Sequence, residues 1–211
     1  GKSNYVESEL IRSNSHELKL RKEMVCEVLF FEIVAVGFIG IASLLFKEKQ
    51  MGVMQVYGIM PLKITLFIFS KLFVFLLSDI VFAIALTIIN IGVSGVITIL
   101  FRVLPHVAVL SIMMVLLGFF FAMLYKNFKQ FGFAYAFIII LMTSPIYLAA
   151  NTPITCKWIN YYPFYHLFMA MKNAFFGIMS NTLFYYIVCI IVIVILFKID
   201  TKMMNKELIE G

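Results

Sequence analysis

The sequence predicts an all-α fold, a polytopic helical membrane protein with one transmembrane domain over residues 1–211. Hydrophobic residues make up 63% of the chain and charged residues only 13%. Soluble proteins average about 45–50% apolar and about 25% charged residues. The apolar residues also form runs near the roughly 20 residues that a helix needs to cross about 30 Å of hydrocarbon. So few charges cannot cover a surface that faces water, which excludes the soluble classes of protein.

The apolar runs predict five membrane spans, which follow a polar external segment at residues 1–23. The second span is expected to end at the polar and glycine-rich cluster after Asn90. Pro105 is expected to open the third, because proline suits a first helical turn, and Pro145 to break the fourth near its end. The predicted spans are 24–46, 62–90, 105–125, 131–147 and 183–197.

Residues 148–182 are predicted to form an external re-entrant region. Trp158, Tyr161 and Tyr162 belong to an aromatic belt of the kind found at the headgroup level of membranes. Apolar residues recur at helical spacing between Pro163 and Gly177. This pattern favours a short helix that re-enters the membrane or lies on its surface, and an ordinary packed loop is the alternative.

The distribution of lysine and arginine predicts the orientation. Residues 47–63, residues 126–130 and the tail after residue 197 hold eight lysines, whereas the opposite loops hold three basic residues. Basic residues are concentrated in cytoplasmic loops, so a cell-membrane protein with a cytoplasmic carboxy terminus is expected. The five basic residues among 1–23 conflict with an external location unless a further span precedes them.

Lysine and arginine outnumber aspartate and glutamate by 17 to 11, which gives a net charge of +6, and no basic stretch interleaved with aromatic residues indicates nucleic-acid binding. The three cysteines fit no zinc-site spacing, and the motifs of serine hydrolases, zinc proteases and phosphate-binding loops are absent. The three histidines, His16, His106 and His166, are expected to be solvated loop residues. No catalytic or metal-binding residue is predicted from these patterns.

Among the charged residues within the predicted spans, Glu32, Lys71 and Asp79 are the candidate intramembrane polar residues. A charge at the centre of a bilayer costs about 2.5–3.5 kcal/mol on insertion scales, so such residues face protein or water. Lys71 and Asp79 point to different sides of one helix, so each is expected to have its partner on another helix. For Glu32 and Asp79, structural pairing and a place on a substrate path are both open.

The segment after the first span is the strongest functional candidate. Residues 47–60 begin with alternating charges and continue with an apolar, methionine-rich stretch that ends at Pro61. An apolar helix on the cytoplasmic side needs a covering surface, and docking into the groove of a partner supplies one. Methionine suits an adaptable contact. The alternative is a helix that lies flat on the lipid headgroups.

These residues resemble the type-2 ABC exporter permeases, and most of all the fluoroquinolone-export permease group. The matching positions are Lys47, Glu48, Gly52, Pro61, Leu62, Ser70 and Lys71, with Met60 where that family commonly has threonine. A weaker likeness includes Gly118 and the Tyr162-Pro163 pair before a helix with Lys172. The resemblance covers residues 25–200.

The resemblance implies a six-span permease that exports an amphipathic substrate such as a drug, a peptide or a lipid-like molecule. It implies that residues 47–60 are a cytoplasmic coupling helix, with ATPase contacts at Glu48, Gly52, Met54, Tyr57 and Pro61. ATP and Mg would be held by a separate ABC ATPase subunit and no cofactor by this chain. A second permease copy or a sister permease would complete the assembly.

Two other interpretations are open on the sequence alone. The first is a membrane-embedded enzyme that modifies lipids through Glu32, Asp79 or His166. The second is a non-transporting membrane partner, such as an immunity protein. The substrate is not encoded in any motif that the sequence displays.

Overall fold

The computed structural model describes residues 2–53, 56, 63–93, 95–151, 157–178 and 182–210, and within these ranges it describes the side chains of residues 14–207 except that of residue 182. The described chain is helical and has no strands. The helices are α1 (Lys2–Glu32), α2 (Phe38–Gln50), α3 (Ile64–Ile91), α4 (Val96–Leu124), α5 (Phe128–Asn151), α6 (Pro163–Phe176) and α7 (Thr182–Glu210). A π-helical segment, Ile33–Gly37, joins α1 to α2, and a 3-10 helix, Lys157–Tyr161, precedes α6.

Five helices in the described part of the chain are long and apolar enough to cross a membrane, as a multi-pass membrane protein requires. They cover Asn14–Gln50, Ile64–Ile91, Val96–Leu124, Phe128–Asn151 and Leu183–Glu207. Each contains one of the apolar runs on which the sequence prediction was based. The all-helical, polytopic character of the fold is therefore confirmed.

The first span is longer than predicted because helix continues through the polar residues that precede it. Residues 2–23 belong to α1 and do not form a separate loop. Lysine, arginine and glutamate are good helix formers, and Arg21 forms an ion pair of 2.7 Å with Glu17 one turn earlier. Hydropathy marks only the part of a helix that lies in hydrocarbon, so it places the boundary too late.

Two expectations about proline were wrong. Pro105 does not open the third span, because α4 begins at Val96, and Pro145 lies inside α5. In hydrocarbon a backbone group that leaves the helix finds no water to bond, so a span continues through proline where a soluble helix would end. Both helices therefore extend beyond the predicted limits.

Helix α4 is the centre of the bundle and contacts α2, α3, α6 and α7. It crosses α2 very closely at Gly118, where an added Cβ atom would lie 2.6 Å from the Phe38 carbonyl oxygen and 2.5 Å from a methyl group of Ile41. Small residues permit such close approach between membrane helices. An aromatic cluster of Phe38, Phe131 and Tyr135 then packs α5 against α2.

Helix α6 lies in the predicted re-entrant region and is too short to span. Its 14 residues extend about 21 Å. It runs antiparallel to α1, because Lys172 Nζ lies 3.4 Å from Glu23 Oε1 while the Phe168 and Phe30 rings are 5.3 Å apart. Its first turn is therefore the end farther from Glu23, and it lies toward the interior of the first span. It ends at Gly177, whose φ of 70° favours glycine.

Candidate functional site

The ends of three helices are joined by ion pairs where the chain leaves α2 for the predicted coupling segment. Glu48 lies in the last turn of α2 and accepts a charge-assisted hydrogen bond from Lys71 of α3. The two side chains are only 10% and 16% exposed. Lys71 thus has its partner on another helix, as expected, and the pair bridges the two ends of residues 51–63.

A second ion pair connects the same end of α2 to the last helix. Lys49 Nζ lies 2.5 Å from Glu207 Oε1 of α7. The rings of Phe69 and Phe197, 5.0 Å apart, add an apolar contact between α3 and α7. Helices α2, α3 and α7 therefore form one connected unit at this end of the bundle, which we call the junction.

The coupling segment itself is described only at its start. Helix α2 ends with the Met51 N–H bonded to the Lys47 carbonyl at 3.0 Å, and Gly52 follows with a φ of 69°. The Met51 side chain is 59% exposed, as expected of an apolar surface without a cover. Three of the predicted coupling residues lie outside the described residues: Met54, Tyr57 and Pro61.

The structure brings Glu32 and Asp79 together inside the bundle, which the sequence did not predict. The two carboxyl groups interact between α1 and α3, and Ser111 of α4 lies beside the Asp79 carboxyl. Asp79 is 4% exposed and Ser111 is 1% exposed. We call these three residues the acidic cluster.

The π-helical segment begins directly after Glu32, so the acidic cluster lies beside an irregular helix turn. The Tyr135 hydroxyl of α5 donates a hydrogen bond of 3.0 Å to the Ala35 carbonyl within that segment. Single π-helical turns inside α-helices are frequent at functional sites. The irregular turn is thus stabilised from a neighbouring helix at the level of the buried carboxyl groups.

A cavity of about 400 Å³ lies between α4, α6 and α7. Its walls include Met113, Leu167, Val188 and Val192, and His166 also lines it. The His166 ring nitrogen is 2.7 Å from the Asn160 carbonyl oxygen. A cavity of this size with a mostly apolar lining suits an apolar or amphipathic molecule.

The expectation that His106 is a solvated loop residue was wrong. It is 5% exposed within α4, and its Nε2 atom lies 3.3 Å from the Tyr186 hydroxyl of α7. Its ring also stacks on Tyr186, with centroids 5.3 Å apart. A histidine in a long apolar run indicates a buried polar side chain that needs a partner, but the sequence does not identify Tyr186 as that partner.

The groups that a lipid-modifying enzyme would use are divided between two places. Glu32 and Asp79 meet between α1 and α3, whereas His166 is on the cavity between α4, α6 and α7. No group of three or more His, Cys, Asp or Glu side chains in the described ranges is arranged to hold a metal ion.

Comparisons with known proteins add no relative. No family model, no curated protein and no solved structure matches the chain. The function proposed below therefore depends on the residues and contacts described above.

Proposed function

We propose that this chain is the transmembrane permease subunit of an ATP-binding cassette exporter. It moves an amphipathic substrate out of the cell, and a separate cytoplasmic ATPase subunit binds ATP and Mg and hydrolyses the nucleotide. Two permease subunits, identical or sister chains, form the pathway together. The junction carries this proposal, because it attaches three helices to the two ends of the predicted coupling segment.

The contacts at the junction suit the transmission of movement. A displacement of residues 51–63 by a docked ATPase acts on α2 and α3 together, since Glu48 and Lys71 form a bond across the segment. The pair of Lys49 with Glu207 extends the same movement to α7. The close crossing at Gly118 then passes it to α4. Packed helices respond to such a displacement as rigid bodies.

An amphipathic substrate is supported by the cavity between α4, α6 and α7. Its lining is apolar, while Tyr185 and His166 supply polar atoms at its boundary. The membrane-facing sides of α3, α5 and α7 expose large apolar residues such as Phe73, Phe133 and Ile190. These surfaces are suited to lipid or to a second permease subunit.

The proposal is tested by ATPase coupling. The chain is purified in detergent from its native host, and the preparation is assayed for a bound ATPase and for nucleotide hydrolysis. Met54→Asp and Tyr57→Asp place a charge in the apolar docking surface, so each is expected to reduce both quantities by more than tenfold. A charge left unpaired in an apolar interface is expensive.

Tyr161→Asp is the matched control, because it makes the same chemical change at a side chain that is 88% exposed in the predicted external region. We expect it to retain the ATPase and its activity. Unchanged binding and hydrolysis in both segment variants would contradict the docking role. Loss in the control as well would show that the assay measures folding and not docking.

A further inference from the structure

A second cavity, of about 350 Å³, lies beside the first turns of α4. It is bounded by α4, α6 and α7, and its polar lining residues are Arg102, His106, Asn173 and Tyr186. None of its lining residues is acidic, and it shares none of them with the apolar cavity. The cavity therefore presents a positive charge and hydrogen-bond donors, but no carboxylate.

Arg102 has no anionic partner among the described residues. Its Nε atom donates a hydrogen bond of 3.2 Å to the Thr98 carbonyl, and its two terminal nitrogens form no hydrogen bond within the described chain. One of these nitrogens lies against Gly177 at the end of α6, where no room is left for a Cβ atom. No ion pair in the described ranges includes Arg102. The guanidinium group is thus held between two helices while most of its donors are unused.

The helices around the cavity contain no acidic residue that could balance Arg102. Residues 80–199, which include all of α4, α5 and α6, contain neither aspartate nor glutamate. The first acidic residue of α7 is Asp200, about 21 Å beyond Tyr186 along the helix. Charged residues within membrane spans are usually paired or mark the path of a ligand. An anion that balances Arg102 therefore comes from outside these helices.

The contact between His106 and Tyr186 leaves one hydrogen-bond donor unused. A neutral imidazole has one N–H and a phenol has one O–H. The contact of 3.3 Å between Nε2 and the hydroxyl uses only one of these two donors, whichever ring nitrogen carries the proton. His106 Nδ1 has no partner among the described residues, although His106 is only 5% exposed. Buried polar groups are nearly always paired, so the pair indicates a missing acceptor.

We propose that this cavity binds the phosphate group of an acidic phospholipid such as phosphatidylglycerol. The planar guanidinium group of Arg102 matches the oxygens of a phosphate and binds two of them at once. The His106–Tyr186 pair and the Asn173 amide supply further donors. A zwitterionic headgroup would bring an ammonium group to a cavity that has no carboxylate to receive it, which disfavours such lipids.

The position of the cavity along α4 favours a lipid over a small soluble anion. Helix α4 has 29 residues and is about 43 Å long, whereas the hydrocarbon layer is about 30 Å thick. Arg102 lies about 9 Å from the start of α4, near the level of the lipid phosphates. Two other lining residues, Phe101 and Ile178, are 78% and 60% exposed and suit contact with acyl chains.

This inference goes beyond the proposed export function and is independent of it, because lipid binding is a property of this chain alone. The purified chain in a neutral detergent is mixed with equal amounts of phosphatidylglycerol and phosphatidylcholine that have the same acyl chains. Bound lipid is identified by native mass spectrometry. We expect one phosphatidylglycerol per chain, preferred over phosphatidylcholine by at least tenfold.

Thermal stability gives a second measurement, taken as the fraction of the chain that stays soluble after heating. Because a bound ligand stabilises the folded state, phosphatidylglycerol at ten times its Kd is expected to raise Tm by about 4 °C. Each variant is compared with itself in the absence of lipid. A change in basal stability therefore does not affect the result.

The variants locate the site. Arg102→Gln removes the charge and is expected to abolish both the lipid preference and the rise in Tm, whereas Arg102→Lys keeps the charge without the planar fork and should show an intermediate response. Lys157→Gln is the matched control, because it removes the same charge from an exposed residue of the predicted external region that does not line the cavity. It is expected to keep the full response.

Three results would overturn the proposal: equal binding of the two lipids, a preference that survives in Arg102→Gln, or a preference that Lys157→Gln removes as completely as Arg102→Gln does. Inorganic phosphate in lipid-free detergent supplies the same anion without acyl chains. If it raises Tm as much as phosphatidylglycerol does, the cavity is a site for a free anion and the lipid is excluded as its ligand.

Discussion

Gly118 offers the sharpest test of the packing that joins the first span to the central helix. Replacing it with alanine adds one methyl group at the crossing of α4 and α2. The new Cβ atom would lie 2.6 Å from the Phe38 carbonyl oxygen and 2.5 Å from Ile41 Cγ2. A backbone oxygen cannot rotate away as a side chain can, so the two helices must separate.

The expected loss follows from two opposing effects. Overpacking in a tight core costs about 1–3 kcal/mol, and the near contact with backbone places Gly118→Ala at the upper end. Alanine in place of glycine inside a helix returns about 1 kcal/mol. The net destabilisation is about 2 kcal/mol, which corresponds to a fall in Tm of about 4–8 °C for a chain of this size.

Gly132→Ala is the control that isolates the crossing. Gly132 is also inside a helix, α5, and no atom outside its own helix backbone lies within 4 Å of a Cβ atom added there. Only the helix-propensity gain applies, so its Tm is expected to rise by about 2 °C. Both variants are measured by thermal unfolding in detergent with a thiol-reactive dye, since Cys26 and Cys189 are buried in the folded chain.

The difference in Tm between Gly118→Ala and Gly132→Ala tests how closely α2 and α4 approach. If Gly118→Ala is as stable as Gly132→Ala, the α2–α4 crossing is not as close as described. Movement at the junction would then not be transmitted to α4 through this crossing.

Three further variants test the junction and the irregular turn by the same unfolding assay. Lys71→Met leaves the Glu48 carboxylate buried without its partner, so stability is expected to fall by about 3 kcal/mol and Tm by about 6 °C or more. Combining it with Glu48→Gln should restore most of the lost stability. Strictly additive losses in the double variant would refute the pairing. Tyr135→Phe removes the hydrogen bond to the Ala35 carbonyl and is expected to lose about 1 kcal/mol, whereas an unchanged Tm would argue against that bond. Lys49→Ala breaks a more exposed ion pair and should lose less than about 1 kcal/mol, so a larger loss would mean that this contact is more deeply buried than described.

The spans were predictable because the bilayer imposes a length and a composition that a single sequence displays directly. The residues at which each span begins and ends were less predictable. Helix α1 begins in polar residues that hydropathy excludes, and α4 begins before Pro105 because no alternative to helix satisfies the backbone in hydrocarbon. The apolar stripe between Pro163 and Gly177 marks helix α6 closely, since an amphipathic helix carries its pattern in its own residues.

For contacts between helices, the sequence predicts which residues need a partner but not which residue that partner is. Burial of a charge predicts that Lys71 needs a partner, but nothing in the sequence points to Glu48 as that partner. The meeting of Glu32 with Asp79, and of His106 with Tyr186, depends on how each helix is rotated in the bundle. That rotation is set by packing over the whole molecule. The predicted contacts at Met54, Tyr57 and Pro61 remain predictions, because they lie outside the described residues.

Cross-linking from the predicted coupling segment tests the central claim most directly. Val56 is 47% exposed, and Val56→Cys is introduced into a chain whose own three cysteines are replaced by alanine. A short bifunctional maleimide is applied to inside-out membrane vesicles from the native host, and the attached protein is identified by mass spectrometry. We expect a subunit with a phosphate-binding loop, captured in an ATP-sensitive manner. Capture of no such subunit, together with labelling of residue 56 by an impermeant reagent in intact cells, would contradict the account.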